Sequence, residues 1–448
     1  MKLKTLSTAI LLATVPMTGA FAAALDRSGQ SIAAFLQPGN YFEAGISVLD
    51  PTVEGQEAGT SATTRDINDM AGDYYFPSAA LKLQLTDNFS FGLLYDQPFG
   101  ADATYKGNNV FVANAQDRIL SSLPITTSAI GGTTSGSTSV EVDTQNLSVI
   151  LGFQPTEQFN IYGGGVYQTI KGNVSLRGSA YSVFNGYDAN IKEDSSTGWL
   201  AGLAFQIPEI ALKASLTYRS EIDHKLNIDE NASLAPVLGA AAGAIGAQLG
   251  GLGLPPQQIG AIGNAIGGFV AANSASGETK ITTPQSVNLD FQTGIMADTV
   301  AFANVRWVDW SSFSIRPYKF GLASEAVGPL VQRPNGFNLV EYSDDQISAT
   351  VGVGRKLSEQ WAGNVSVGWD SGAGNPVSTL GPTEGYWNVG LGVQFSPAPN
   401  YFIAGGVKYF MLGDAKAQTG AQAGGNEYVA NFEDNDAIAY GLKMGYRF

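Results

Sequence analysis

The sequence predicts an all-β fold, an antiparallel transmembrane β-barrel of about fourteen strands, and three observations favour it. Apolar residues alternate with small or polar ones at period two in many segments, which is the pattern of strands with two different faces. The connections between these segments are alternately short and long. Charged residues make up only 14% of the chain, against roughly 25% in soluble domains. Part of the surface is therefore expected to face lipid.

The N-terminus has the features of a secretory signal peptide. Two early lysines precede an apolar run from Leu6 to Val15, and small residues follow up to Ala24. Such a segment is removed on export. We assign residues 1–24 to the signal peptide, with cleavage near Ala22 to Ala24; cleavage after Ala22 and cleavage after Ala24 fit equally well.

Alternation is clearest in the last segment, where the even-numbered residues from Tyr440 to Phe448 are all apolar. A soluble β-sandwich also has strands with one apolar face, so alternation alone does not identify a membrane barrel. The strands are predicted at about 40–49, 75–86, 89–99, 140–153, 159–171, 197–206, 210–222, 286–296, 299–309, 343–355, 360–370, 385–395, 400–411 and 435–448.

The lengths of the connections distinguish the two folds. Short turns such as Thr86 to Asn88 alternate strictly with long loops, which a sandwich has no reason to do. Outer-membrane barrels have this arrangement, with short periplasmic turns and long extracellular loops. All six tryptophans lie near predicted strand ends, where the lipid interface is expected; they are at positions 199, 307, 310, 361, 369 and 387.

Residues 230–278 differ from the rest of the chain. No charged residue lies between Glu230 and Glu278, and a Pro-Pro pair divides the stretch into two halves. Apolar residues recur at helical spacing in both halves. We expect a helical hairpin in a long extracellular loop. Either the helices bury their apolar faces against each other or the barrel rim, or these faces form a landing surface for a hydrophobic ligand, through Leu238, Ile245, Leu249, Ile262, Ile266 and Phe269.

Composition excludes several kinds of chemistry. The net charge of −15 argues against a nucleic-acid partner, and the absence of cysteine excludes disulfides. His224 is the only histidine, so the usual zinc ligand sets cannot form. We interpret it as a rim histidine bound to its acidic neighbours rather than a catalytic base. No nucleotide-binding glycine motif is present. The sequence thus predicts no enzyme, no metal and no cofactor.

Three sequence blocks and the closing strand at Phe448 resemble the FadL/TodX family of outer-membrane transporters for long-chain fatty acids and other hydrophobic compounds. The blocks are Phe91-Gly92 leading to Gln97 through Gly100, Pro284 to Phe291 running into Asn304 through Phe313, and Gly381 through Gly392. The resemblance covers essentially the whole mature chain. Members usually begin with a longer N-terminal hatch that plugs the barrel. Here residues 25–39 form an abbreviated hatch ahead of a barrel spanning residues 40–448, so a gating role for it stays open.

The resemblance implies passive transport of hydrophobic compounds, long-chain fatty acids first among them, across the bacterial outer membrane. Ligands would be captured on the apolar outer loops, bound inside the barrel with the help of Arg306, and released sideways through a kinked strand. Because proline cannot donate to a strand ladder, the kink is placed at Pro98, Phe99 and Gly100; alternatively, the strand ends at Asp96. A general diffusion porin, or a surface-structural barrel without a ligand, is the alternative function.

The expected partners follow from the same interpretation. They are a fatty acid or another hydrophobic small molecule, outer-membrane lipid and lipopolysaccharide, and the barrel-assembly machinery, which would recognise Phe448. The substrate and the oligomeric state are not indicated by the sequence.

Overall fold

Fourteen long strands form a closed antiparallel barrel in the computed structural model, which describes residues 25–120 and 123–448. Each strand pairs with its neighbours in the chain, and the last pairs with the first. The predicted fold class is confirmed, while the predicted signal peptide lies outside the described residues. The strands are β1 Tyr41–Thr52, β2 Tyr74–Gln84, β3 Phe89–Asp96, β4 Ser139–Phe153, β5 Phe159–Leu176, β6 Tyr187–Ile207, β7 Leu212–Arg219, β8 Ser286–Met296, β9 Thr299–Val308, β10 Gln346–Lys356, β11 Trp361–Asp370, β12 Tyr386–Ala398, β13 Tyr401–Leu412 and β14 Asp436–Arg447.

The two faces of each strand explain why the chain closes into a barrel. On β12, Trp387, Val389 and Leu391 are exposed on the outside. Gly390 and Gly392 alternate with them and line the interior. The outward residues are stable only against lipid, whereas the small inward residues leave room inside the barrel.

In the short periplasmic turns, a few residues with special backbone angles reverse the chain. Between β8 and β9, Asp298 adopts a left-handed φ of 59°, a conformation that aspartate tolerates better than most residues. The neighbouring Lys356 N–H donates to the Asp298 carbonyl (2.9 Å), which ties this turn to the end of β10.

Strands β5 and β6 are longer than predicted, reaching Leu176 and starting at Tyr187. They remain paired above the lipid-facing band, with a register shift between Ile170 and Gly172. Their outward residues there are polar, for example Asn173, which pairs with Asn190 at 2.6 Å. The predicted strands, 159–171 and 197–206, are therefore too short, because the prediction followed apolar outward residues and these segments have polar ones.

The extracellular loops fold into a cap above the barrel with its own apolar core. Residues 230–278 contain α1 (Leu234–Gly251) and α2 (Pro256–Asn273), and α2 packs against α3 (Tyr318–Val327). Two short strands extend the barrel sheet, Gly100–Thr104 beside β4 and Ile228–Ala232 beside β6. Other short strands complete the cap: Gly55–Glu57, Asp66–Ile67, Ile222–Leu226, Thr279–Thr283, Ser314–Ile315, Val340–Glu341, Val377–Ser378, Ala415–Gln418 and Ala430–Phe432. Short 3₁₀ segments lie in the cap at Ser128–Ile130, Ser179–Phe184 and Gly328–Val331, and another, Pro208–Ile210, forms the periplasmic turn between β6 and β7.

The six tryptophans differ in their surroundings. Trp361, Trp369 and Trp387 are exposed near strand ends, as interfacial residues should be. Trp199 is also exposed, but it lies in the middle of the long strand β6, and Trp307 is half-buried near the end of β9. The prediction for Trp310 was wrong, because this side chain is fully buried in the cap and its Nε1–H donates to Gln346 Oε1 (2.8 Å).

The C-terminus closes the barrel at the periplasmic rim. The ring of Phe448 is exposed and stacks on that of Tyr446, with centroids 5.7 Å apart, and its backbone N–H donates to the Asn40 carbonyl (3.3 Å). We expect deletion of Phe448 to lower the folded, heat-modifiable fraction of the protein on gels, since an interfacial anchor of β14 is lost. Leu357→Ala, which removes another exposed apolar residue from this rim, should assemble normally. Unchanged assembly after the deletion would contradict a role for Phe448.

Candidate functional site

A cavity of about 190 Å³ lies among the extracellular loops, and we call it the outer pocket. Three phenylalanines from two loops line it, with ring centroids 4.6 Å apart for Phe184–Phe320 and 5.8 Å apart for both Phe184–Phe337 and Phe320–Phe337. Among the described residues that line it, none is charged. The outer pocket can therefore hold an apolar molecule without desolvating an ion.

The six apolar residues predicted on the helical hairpin are all buried. Only Ile262 lines the outer pocket, while Phe269 packs its ring against Phe184 (centroids 5.3 Å apart). Glycine and alanine dominate the exposed faces of α1 and α2. These six residues therefore form no open landing surface here, because each belongs to the cap core, and their role in binding stays a prediction.

Sequence reasoning missed the aromatic residues of the outer pocket. Phe184 comes from the loop between β5 and β6, whereas Phe320 and Phe337 come from the loop between β9 and β10, and the three share no periodic pattern. The only signal in the sequence is the presence of phenylalanine in loops that otherwise look polar.

Two buried tyrosines hydrogen-bond to Thr379, which lines the outer pocket together with one of them, Tyr181. The hydroxyl of Tyr181 donates to Thr379 Oγ1 (2.9 Å), and that of Tyr105 donates to the Thr379 carbonyl (2.6 Å). Burial raises the pKa of both phenols. Both hydroxyls therefore stay neutral and engaged with the loop.

His224 lies beneath the cap and is fully buried. Its Nε2 contacts Gln168 Oε1 at 3.0 Å and its Nδ1 contacts Asp194 Oδ2 at 3.3 Å. The predicted pairing with neighbouring acids was wrong, because Asp223 accepts from Thr282 instead. Burial lowers the pKa of His224, so the ring is mostly neutral at pH 7 and acts as a packing and hydrogen-bonding residue.

The hatch residues lie inside the barrel, where Ile32 and Phe35 are fully buried. Phe35 packs edge-on against Tyr162 of β5, with centroids 5.6 Å apart. The first hatch residues pair with the barrel wall as a short strand would. The Arg27 N–H donates to the Pro98 carbonyl (2.6 Å), and the Gly100 N–H donates to the Leu25 carbonyl (2.9 Å).

Arg306 anchors the same end of the hatch. Its Nε lies 2.6 Å from Asp26 Oδ2, and both side chains are at most 3% exposed. Its other nitrogens donate to Asn288 Oδ1 (2.7 Å) and Gln30 Oε1 (3.1 Å). Removing one partner of such a buried pair costs about 3–5 kcal/mol. The guanidinium predicted to bind ligand is thus occupied by the hatch, and a ligand role for Arg306 stays a prediction.

The strand that contains Pro98 is interrupted and then resumes. Strand β3 pairs with β4 as far as Asp96 opposite Asn146, and pairing with β4 starts again at Gly100 opposite Asp143. Three residues on one side thus face two on the other, and Pro98 lies in this bulge, where it has no ladder bond to donate. The chain therefore does not leave the wall at Asp96.

On the side of β3 that faces β2, the interruption leaves a gap in the barrel wall. The β2–β3 pairing ends at Ala79 opposite Tyr95, and the ladder gives residues Tyr74 to Ser78 of β2 no partner on β3. Above the gap, the Asp102 N–H donates to the Tyr74 hydroxyl (2.6 Å). We call the opening between these two contacts the wall gap.

The wall gap lies at the height of the lipid-facing band. The barrel register places Pro77 in one row with Ile46 and Leu442. Both of these neighbours are apolar and about half exposed. The wall gap therefore opens towards the hydrocarbon of the membrane.

A second cavity, of about 240 Å³, lies beneath the hatch, and we call it the lumen cavity. Hatch residues from Arg27 to Gln37 form one side of it, and Phe76, Pro77 and Gln97 from the edges of the wall gap form another. The lumen cavity thus connects the hatch with the wall gap.

Comparison with known proteins agrees with this architecture. The sequence profile of the family described as "Outer membrane protein transport protein (OMPP1/FadL/TodX)" matches residues 22–448. No curated protein matches the sequence.

Solved structures of low sequence identity share the fold. A FadL homologue of Pseudomonas aeruginosa matches with a TM-score of 0.64 and 16% identity, covering 99% of this chain and 98% of that one. The toluene transporter TodX of P. putida matches with a TM-score of 0.55 and 12% identity, covering 98% of both chains. TbuX, the toluene transporter of Ralstonia pickettii, matches with a TM-score of 0.53 and 11% identity, covering 97% and 98%.

The profile match spans the whole barrel and the hatch. The chain therefore belongs to the FadL/TodX family, a family of transport channels for hydrophobic compounds in the bacterial outer membrane.

Proposed function

We propose that this channel passes hydrophobic compounds from the cell surface sideways into the outer membrane. A compound would be captured in the outer pocket, pass the hatch into the lumen cavity, and leave through the wall gap. The wall gap carries the proposal, since it joins the lumen cavity to the lipid-facing band. Transport would be passive and would follow the concentration gradient.

The outer pocket supports the capture step. Burial of each CH₂ group of a ligand is worth roughly 0.8 kcal/mol. Because no charged residue lines the outer pocket, no ion has to lose its hydration when the ligand binds. A general diffusion porin is a poorer fit, because the hatch and its buried Arg306–Asp26 pair lie across the lumen.

Two substrate classes fit the channel. Long-chain fatty acids follow from the family resemblance. A compact neutral hydrocarbon is favoured by the size of the outer pocket, because its volume of about 190 Å³ is similar to that of an apolar cavity of about 150 Å³ known to bind benzene. Uptake of both classes by reconstituted channels would decide between them.

The capture step can be tested at Ile262. We expect Ile262→Asp to lower uptake at least about tenfold, which corresponds to about 1.4 kcal/mol of lost binding, because a charge would face the outer pocket. Gly260→Asp is the matched control, since Gly260 is exposed on the same helix with open space around it. Normal uptake together with a lowered circular-dichroism melting temperature would mean that Ile262 only packs.

The exit can be tested with a reversible tether. Continued register would place Pro77 opposite Gln97, so a cysteine at each position should close the wall gap when oxidised. We expect delivery of substrate to the membrane to stop on oxidation and to return on reduction. The control is a cysteine pair at Ala80 and Leu94, which already oppose each other in the ladder.

Recovery on reduction shows that the tethered barrel was folded. Delivery that continues through a closed wall gap would mean that the compound leaves down the lumen. Deletion of Pro98, Phe99 and Gly100 tests the kink and the hatch together, because it also removes the Gly100–Leu25 hydrogen bond.

A further inference from the structure

Three hydrogen bonds hold Thr379 in the wall of the outer pocket. This residue lies in the loop between β11 and β12 and is 1% exposed. Its backbone N–H donates to the Gln418 carbonyl (2.9 Å), and its carbonyl accepts from the Tyr105 hydroxyl (2.6 Å). Its Oγ1 accepts from the Tyr181 hydroxyl (2.9 Å). The backbone and the side chain of Thr379 are therefore both fixed.

The Thr379 hydroxyl also has a hydrogen of its own to donate. A hydroxyl group is one donor and accepts through two lone pairs, and the bond from Tyr181 uses only a lone pair. Within the part of the chain that the structure describes, no acceptor lies within hydrogen-bonding distance of this donor. A buried donor that has left water without gaining a partner is unfavourable. Thr379 therefore offers an unused donor to a ligand in the outer pocket.

The bond from Tyr181 strengthens Thr379 as a donor. A hydroxyl that accepts a hydrogen bond is polarised by it, and this cooperativity acts in the low-dielectric interior of a protein. The rings of Tyr181 and Tyr105 both pack against Phe111, with centroids 6.1 and 4.2 Å away. One aromatic cluster thus positions both phenols that hold Thr379. A donor fixed in this way loses little conformational entropy when a ligand binds.

The rest of the outer pocket is a poor place for water. Apart from Thr379, the hydroxyl-bearing side chains among its described lining residues are Tyr181, Ser182 and Thr419. Tyr181 already donates to Thr379, and Thr419 donates to Gln422 Oε1 (3.2 Å). The other described lining residues are aliphatic residues, phenylalanine and glycine. Because a buried water typically makes about three hydrogen bonds, an acceptor carried by an apolar ligand is a better partner for Thr379 than water.

We propose that the outer pocket selects compact hydrophobic compounds with one neutral carbonyl group, and that Thr379 donates a hydrogen bond to the carbonyl oxygen. The inference rests on the proposed transport function and narrows its substrate class. A carbonyl oxygen only accepts, so it satisfies Thr379 without bringing a further donor into the pocket, as an alcohol would. A carboxylate would lose its hydration among the uncharged residues of the lining.

An aryl ketone suits both parts of this lining. Its ring packs with Phe184, Phe320 and Phe337, whose own rings have centroids between 4.6 and 5.8 Å apart, within the usual range for aromatic pairs. Its oxygen accepts from Thr379. Burial of the ring favours hydrophobic compounds in general, whereas the hydrogen bond discriminates among them. A site that hydrogen-bonds a ligand group rejects the analogue without that group, because the donor of the site is then left unpaired.

Two matched probes test this selectivity. α-Methylstyrene has the shape of acetophenone, with a CH₂ group in place of the carbonyl oxygen. Uptake of each probe is measured below saturation in vesicles that carry the wild-type channel or a variant, so that differences in membrane partitioning cancel between channels. In Thr379→Val, which removes the hydroxyl, we expect uptake of acetophenone relative to α-methylstyrene to fall at least about fivefold.

Further variants separate the lost donor from a disturbed pocket. Thr379→Val leaves the Tyr181 hydroxyl without its acceptor, so the double variant Tyr181→Phe/Thr379→Val should show the same loss of selectivity. Thr379→Ser keeps the hydroxyl and should keep the selectivity. The matched control is Thr127→Val, because Thr127 is fully buried in the cap, donates to the Asp117 carbonyl (3.2 Å) and does not line the outer pocket. Heat-modifiable mobility on gels checks that each variant is folded.

The hydrogen bond itself has a spectroscopic signature that needs no transport. Donation to a carbonyl oxygen lowers the stretching frequency of the carbonyl group. Infrared difference spectra of acetophenone with the channel in lipid nanodiscs should therefore show a lowered carbonyl band with the wild type and with Thr379→Ser. The lowered band should be lost with Thr379→Val.

The outcomes separate this inference from the proposed function. An unchanged uptake ratio in both valine variants of Thr379, an equal loss in Thr127→Val, or a lowered carbonyl band that persists in Thr379→Val would each overturn the role of Thr379. In all three cases, uptake of both probes by the wild type would leave the transport proposal standing. A lowered carbonyl band without uptake of either probe would remove the transport proposal and leave the binding site.

Discussion

The demand that every backbone polar group be paired inside a membrane explains most of this structure. Lipid offers no hydrogen-bonding partner, so only a closed ladder of strands is stable there. The bulge at Gln97 to Phe99 interrupts this ladder. Here the hatch provides the missing partners, because Leu25 and Arg27 pair with Gly100 and Pro98. The hatch and the kink are therefore one hydrogen-bonded unit, and movement of the first hatch residues would remove partners from the bulge.

The two cavities along the proposed route of the ligand differ in charge. The outer pocket is uncharged and aromatic, while more basic than acidic side chains line the lumen cavity. A hydrophobic compound gains by entering the outer pocket, and it meets polar groups if it continues down the lumen. The wall gap offers a return to an apolar environment. In the proposed sideways release, the hatch is the part that would have to move.

Sequence reasoning was most successful where a pattern has a fixed period. The alternation of period two identified fourteen strands, and loop lengths identified the membrane barrel, since both follow from local geometry. It failed where contacts join distant segments. Trp310 looked interfacial because it follows a strand, yet Tyr342, far along the chain, packs against its ring (centroids 5.2 Å apart) and helps to bury it. The partners of Arg306 at Asp26 and Gln30 lie more than 270 residues away.

The route of release is tested most directly by following where a fluorescent hydrophobic compound first arrives. Channels reconstituted in vesicles would carry one quencher confined to the bilayer and, in a parallel sample, one trapped in the vesicle interior. The account predicts that quenching by the bilayer quencher comes first and that the interior signal appears only after a lag. It also predicts that an oxidised tether across the wall gap removes the early bilayer signal. Immediate arrival in the interior, with no prior bilayer signal, would contradict lateral release.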